Sequence, residues 1–277
     1  MVVVAAGSSR RMGGGDKLAL TIGGLPILRR TVTAVASVPE VDRVIVVTAA
    51  ERVDELRDAT WLAELDATVI AGGRRRQDSV AAGVRAATAP IVLVHDAARP
   101  LVSPELVTRV VAGAAQHGAA IPALPVVDAL KRVEGERIVD SADRGGLYRA
   151  QTPQGARREL LLAVAEAHAG GAAEIPDEAD LLARGGIPVA IVAGDPSNIK
   201  VTLPEDLAQA RRLAGGSDGV RTTLGTDSHP FGPAVGLQLG GLLVEGAPRL
   251  QGHSDGDAVL HALCDALLAA SGGGDLG

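Results

Sequence analysis

"VVVAAGSSRRMGGGDK" (2–17) decides how the fold is read. Valines and alanines run without alternation into small residues, two arginines, a glycine run and a lysine. Five further apolar runs follow: RVIVVTA (43–49), ATVIAG (67–72), PIVLVHD (90–96), GAAIPALPV (118–126) and IPVAIVAG (187–194). Amphipathic stretches predict helices over 26–37, 50–65, 78–88, 103–116, 156–169, 177–185 and 204–213. Continuously apolar strands alternating with helices describe a mostly parallel sheet covered on both faces, a Rossmann-like α/β fold.

One stretch breaks the alternation. "VVDALKRVEGERIVDSADRGGLYRAQTPQ" (126–154) mixes charges and aliphatics around the turn EGER, and reads as a β-hairpin arm leaving the sheet. At "LAGGSDGVR" (213–221) the texture changes, and this Gly/Ser/Asp stretch is the expected domain boundary. The expected organisation is a first domain over 1–213, a linker over 214–221 and a partial α+β domain over 222–277. The second domain would hold a strand-like VRTTLGTDSH, an apolar run over 235–244 and a helix over 255–270.

Composition narrows the class of protein. Hydrophobic residues make up 47% of the 277, while one Trp, one Tyr and one Phe supply no stacking platform for single-stranded nucleic acid. A net charge of -6 argues further against nucleic-acid partners. A single cysteine, Cys264, excludes an intrachain disulfide and fits a reducing cytoplasm. No apolar run reaches bilayer length, and the first one lacks the basic lead of a signal peptide. The expectation is a soluble cytoplasmic protein with no membrane partner.

The loop after the first strand carries the first chemistry. Loops leaving strand carboxyl ends in open α/β sheets are where ligands bind. Ala5, Ala6, Gly7, Ser8 and Ser9 let backbone amides approach a phosphate, and Arg10, Arg11 and Lys17 supply charge for a polyphosphate. Neither a Walker GK[ST] nor a G-x-G-x-x-G dinucleotide fingerprint is present. On spacing alone, a solvated basic loop remains open.

AAGSSRRMGGGDK resembles the signature loop of nucleotidyltransferases that activate sugar or cofactor phosphates, molybdopterin guanylyl- and cytidylyltransferases among them. Four later blocks choose within that group. GGRRRQDSVAAG (72–83), VLVHDAARP (92–100), DRGGLYRAQTPQ (143–154) and NIKVTLPEDL (198–207) resemble 2-C-methyl-D-erythritol 4-phosphate cytidylyltransferase, in order and across 1–213. The resemblance implies CTP and methylerythritol phosphate as substrates. Arg11 and Lys17 would clamp the triphosphate, and Asp96 at the end of VLVH would hold Mg²⁺. Arg99 would hold substrate phosphate or fix Asp96. Gly73, Arg76 and Ser79 would contact cytosine and ribose, with Ser79 a possible N-cap of the helix that follows. Lys200 would stabilise charge developing on the α-phosphate. Arg144 and Thr152 would grip methylerythritol phosphate, Arg144 across a homodimer formed through the arm. Two positions depart from the family pattern: Ala129 stands where a hydroxyl residue precedes the arm's lysine, and Pro176 where threonine is common.

The second domain carries a different pattern. GTDSHPFG (225–232) sets Asp227 and His229 two apart, on one face if the segment is a strand. Asp257, His261 and Asp265 follow at helical spacing, on nearly one stripe. These blocks resemble 2-C-methyl-D-erythritol 2,4-cyclodiphosphate synthase, a lyase of the same isoprenoid-precursor pathway. The resemblance implies Zn²⁺ or another divalent metal on Asp227, His229 and His261, with Asp265 orienting His261. His253 and Ser254 match its substrate loop, and Asp275 and Gly277 a ribose-binding turn. The family's cyclase is a trimer and continues beyond the equivalent of "GGGDLG", so this domain is expected to be truncated, inactive and not trimeric. Two alternatives stand beside the fused-enzyme reading: a cytidylyltransferase for ribitol phosphate, and a non-catalytic nucleotide-binding module.

Overall fold

A computed structural model describes residues 1–7, 16–168, 174–215, 223–251 and 257–271. The chain divides into two compact units, Met1–Gly216 and Ser217–Gly277.

In the first unit, β1 (Val2–Val4) leads to a short hairpin of β2 (Thr21–Ile22) and β3 (Leu25–Pro26), then α1 (Ile27–Ala36). There follow β4 (Ile45–Thr48), α2 (Val53–Arg57), α3 (Thr60–Glu64), β5 (Thr68–Ala71), α4 (Arg76–Ala86) and β6 (Ile91–Asp96). Next come α5 (Pro104–His117), β7 (Ala119–Pro125), the arm strands β8 (Leu130–Glu134) and β9 (Arg137–Ala142), β10 (Tyr148–Ala150) and β11 (Gln154–Arg157). The unit closes with α6 (Arg158–Ala167), α7 (Glu178–Arg184), β12 (Ala190–Ala193) and α8 (Pro204–Leu213).

Each predicted apolar run is a strand of one sheet. β5, β4, β1 and β6 lie side by side and parallel, and β12 runs parallel to β7. Successive residues of β1 serve opposite faces. Val3 joins Val46 and Leu93 beneath α1, α5 and α8, whereas Val2 joins Ile45, Val47 and Val94 beneath α4, α6 and α7. Both faces are therefore buried, which is why these strands read as unbroken apolar runs.

The sheet is mostly parallel, as expected, and carries two antiparallel strands: β11 inserts between β6 and β7, and β10 extends it along β7. Only β8 and β9, within the predicted 126–154, leave the sheet as the arm. The helix predicted over 50–65 is two short helices separated at Asp58 and Ala59. On one continuous helix Leu56 and Leu62 would point about 120° apart; the break lets both bury in the same core cluster.

In the second unit, β13 (Phe231–Leu239) and β14 (Leu242–Leu250) form a hairpin, followed by α9 (Ala258–Ser271). Gly240 and Gly241 turn the hairpin with φ of 62° and 79°, as a two-residue turn with both central residues left-handed requires. Residues 223–229, the described part of the segment expected as a strand over 220–229, are irregular. Gly225 lies so close to α9 that a side chain there would run into the Ala262 carbonyl. Asp257 caps α9 instead of joining the stripe of His261 and Asp265. Its carboxylate accepts the N–H groups of Gly240 at 2.8 Å, Gly241 at 2.7 Å and Leu260 at 3.1 Å.

A candidate nucleotide site at the strand ends

The loops after β1, β5 and β6 meet at the carboxyl ends of the strands, the usual ligand position in such sheets. Register brings their ends together, with Val4 opposite Asp96. The Ala5 N–H donates to the Val47 carbonyl at 2.7 Å, and Ala97 N–H to the Val4 carbonyl at 3.1 Å. The cavity they border has a volume of about 420 Å³. Ala5, Ala6, Gly7, Lys17, Gly73, Arg76, Ser79, Asp96 and Lys200 all line it, as do Arg74, Arg75 and Glu174. Residues that span most of the first unit's sequence thus share one space. Arg11 and its neighbour Arg10, and His253, Ser254, Asp275 and Gly277, lie outside the described residues.

Asp96 is the centre of charge. Lys200 Nζ lies 2.8 Å from its Oδ2, Arg76 Nη2 3.4 Å from its Oδ1 and Arg99 Nε 3.9 Å from Oδ2. Burial opposes ionisation of this carboxyl, but Lys200, Arg76 and Arg99 outweigh it and hold the group well below the usual carboxylate range. Asp96 is therefore an anion under physiological conditions. The Lys200 segment is tied to the same loop, since Val201 N–H donates to the Ala98 carbonyl at 2.8 Å. Lys17 donates to the Val201 carbonyl at 3.3 Å, which brings the first loop and the Lys200 segment together.

Several residues make contacts that their sequence reading did not include. Ser79 is not a helix cap, because α4 begins at Arg76. Its hydroxyl accepts the Gly73 N–H at 3.1 Å and so folds the glycine loop onto the helix. Arg99 faces inward: its Nη1 donates to the Asn198 carbonyl at 2.8 Å, beside its ion pair with Asp96. Thr152 is 4% exposed and outside the cavity lining. Its Oγ1 accepts the Asp96 N–H at 3.1 Å and lies 3.0 Å from His95 Nδ1. Arg144 lies on the exposed stretch after the arm, with Nη1 donating to the Val127 carbonyl, and does not reach the cavity of its own chain.

His95 and Glu178 were not singled out from sequence. His95 is fully buried, and its Nε2 faces the Arg99 carbonyl at 3.1 Å. A carbonyl only accepts, which assigns the proton to Nε2 and makes Nδ1 the acceptor of the Thr152 hydroxyl proton. Burial pushes the His95 pKa down to about 4, so the ring is neutral. Glu178 is 2% exposed and pairs with Arg76 through both oxygens, at 2.6 and 3.1 Å. Burial works against the charge on Arg76, but Glu178 and Asp96 overcome it and raise its pKa.

In the second unit, Asp227, His229 and His261 converge although no strand carries the first two. Their ligand atoms all lie within 4.8 Å of one another. Asp227 Oδ2 is 2.9 Å from His229 Nε2 and 3.3 Å from His261 Nδ1. Asp227 Oδ2 and His229 Nε2 are buried without a hydrogen bond among the described residues. With His261 beside them, two imidazoles and a carboxylate make a donor set that suits a divalent metal ion.

A cavity lined by lysines and arginines around one buried carboxylate is built to hold a polyphosphate, and on this fold it defines a nucleotidyltransferase. The chain belongs to the 2-C-methyl-D-erythritol 4-phosphate cytidylyltransferase family, whose model matches residues 1–214; the YgbB family model matches 220–277. It is a cytidylyltransferase that moves CMP from CTP to 2-C-methyl-D-erythritol 4-phosphate, fused to a segment of the cyclodiphosphate synthase family. The bifunctional enzyme IspD/IspF of Anaeromyxobacter dehalogenans is 43% identical over 281 residues, covering 99% of this chain and 72% of that protein. The counterpart in Dinoroseobacter shibae is 42% identical, over 100% of this chain and 69% of that one. The crystal structure of the cytidylyltransferase from Thermus thermophilus matches with a TM-score of 0.66 at 36% identity, covering 78% of this chain and 98% of that one. The bifunctional IspDF of Campylobacter jejuni matches with a TM-score of 0.65 at 27% identity, covering 100% of this chain and 71% of that one. Among the described residues, no helix is long and apolar enough to cross a membrane.

Proposed function

We propose that the first unit performs this transfer around Asp96, with catalytic, linker and cyclase segments over 1–213, 214–221 and 222–277. Asp96 is the buried anionic carboxylate of the cavity lining, which fits Mg²⁺, a cation commonly held by one carboxylate with phosphates and waters as its other ligands. Bound there, Mg²⁺ would neutralise triphosphate charge. Arg11 and Lys17 hold the triphosphate, and the Gly73 loop with Ser79 holds the nucleoside. Lys200, half-exposed and already beside Asp96, turns its ammonium to the α-phosphate as charge develops there. The phosphate oxygen of methylerythritol phosphate attacks the α-phosphorus in line; the new P–O bond forms as the bond to the β-phosphate breaks, and diphosphate leaves. His95, Thr152 and Arg99 hold Asp96 in place. Arg144 reaches the neighbouring site of a homodimer joined through the arm, a reading supported by the exposed Val133, Ile138 and Val139 on it. Asp227, His229 and His261 hold Zn²⁺ in the second unit, and the protein works in the cytoplasm.

The single observation behind this reading is the buried Asp96 carboxylate with Lys200, Arg76 and Arg99 around it at the cavity wall. Incubation with CTP, Mg²⁺ and either polyol phosphate, following diphosphate, tests it. Release with methylerythritol phosphate is expected. Release with ribitol phosphate alone would refute the substrate, and no release with either would refute the transfer.

A further inference from the structure

Glu178 is a buried carboxylate outside the cavity lining, and its geometry bears on Asp96. Arg76 Nη1 lies 2.6 Å from Glu178 Oε1 and Nη2 3.1 Å from Oε2, while the same Nη2 is 3.4 Å from Asp96 Oδ1. One guanidinium thus bridges two carboxylates and is held closer to the one that does not line the cavity. The element carrying Glu178 is pinned. Asp177 caps α7 by accepting the Asp180 N–H at 2.9 Å. Gln154 of β11 accepts the Ala179 N–H at 2.8 Å and donates to Asp177 Oδ2 at 3.2 Å.

A buried guanidinium that loses its main counter-charge turns to the next carboxylate within reach, because an unpaired buried charge is costly. Here that carboxylate is Asp96. With Arg76 closed onto Oδ1 and Lys200 on Oδ2, Asp96 would be neutralised from both sides and would lose its pull on a divalent cation. We propose that Glu178 is a positioning residue which, by holding Arg76, keeps Asp96 Oδ1 available to a divalent cation that arrives with the triphosphate. The inference rests on Asp96 being the metal carboxylate.

The test is Mn²⁺ binding without polyol phosphate, at a CTP concentration saturating for each variant separately because Arg76 lines the cavity, read from the electron paramagnetic resonance signal of free Mn²⁺. Wild type, Glu178→Gln, Arg76→Met/Glu178→Gln and Asp96→Asn are compared, each with a thermal melt. Glu178→Gln is expected to weaken Mn²⁺ binding at least about tenfold, and the double variant to return to within about threefold of wild type, since no guanidinium remains to close on Asp96. Wild-type affinity in Glu178→Gln, or a double variant as weak as the single one, overturns the inference. If Glu178→Gln does not fold, the double variant decides alone: Mn²⁺ affinity within about threefold of wild type supports the inference, and weaker binding overturns it. Asp96→Asn separates the two levels. Wild-type binding there removes the metal reading and this inference with it, whereas weakened binding there with an unaffected Glu178→Gln removes this inference only.

Discussion

Thr152→Val removes one oxygen while keeping the shape of the side chain. The lost hydroxyl accepts the Asp96 N–H at 3.1 Å and pairs with His95 Nδ1 at 3.0 Å, and all three residues are buried. Valine leaves a buried N–H and a buried ring nitrogen unpaired, each costing about 1–3 kcal/mol, and a total of about 3 kcal/mol, toward the low end of that sum, is expected. For a unit of this size, each kcal/mol moves Tm by about 2–4 °C, giving a fall of about 6–12 °C. The backbone of Asp96 loosens at the same time, so kcat/KM should fall for CTP and for methylerythritol phosphate alike. Scanning calorimetry and steady-state kinetics with either substrate varied provide the assay. A Tm shift under about 2 °C would refute the brace. A loss confined to the KM for methylerythritol phosphate would do the same, and would restore Thr152 as a substrate grip.

Three further outcomes follow from the same geometry. His95 has a folded pKa of about 4 against about 6.5 unfolded, so the unfolded chain binds the extra proton between those values. Stability is therefore lost as pH falls through that window, by about 2 kcal/mol at pH 5 relative to pH 8, and calorimetric melts should show His95→Gln with a flatter pH profile. A Cβ at Gly72 would lie 2.5 Å from Ser79 Oγ and 3.1 Å from Ala6 Cβ, whereas one at Gly7 meets nothing. Gly72→Ala should thus cost about 1–3 kcal/mol and raise the KM for CTP, while Gly7→Ala leaves Tm unchanged in the same melts. Elemental analysis after dialysis should find zinc in the wild-type protein and little in His261→Ala; equal zinc in both would discard the Asp227, His229 and His261 site.

The parallel part of the sheet was legible because Val2 to Val4, Ile45 to Val47 and Val92 to Val94 are buried on both faces and read as plain apolar runs. β11 was not, because its place demands small residues. A Cβ at Gly155 would lie 2.9 Å from Val110 Cγ1, so the strand reads Gln-Gly-Ala-Arg, without an apolar signature. The break between α2 and α3 is set by which leucines must reach the core, which local periodicity does not report. In the site, Lys17, Asp96 and Lys200 were legible because each sits in a motif with its own charge logic. Glu178 carries no such mark: its partner Arg76 is 102 residues away, and only the fold brings them together. His95 sat inside a block read for Asp96, and its partner Thr152 is 57 residues away, on the turn between β10 and β11.

The central claim is that Asp96 is the point around which CMP is transferred. Diphosphate release from CTP, Mg²⁺ and methylerythritol phosphate, measured side by side on wild type and on Asp96→Asn of matched melting temperature, tests it most directly. Steady release by the wild-type protein is expected, with a rate about a hundred- to a thousandfold lower in the variant, the scale of removing one electrostatic group from an active centre. Release by Asp96→Asn at the wild-type rate would contradict it.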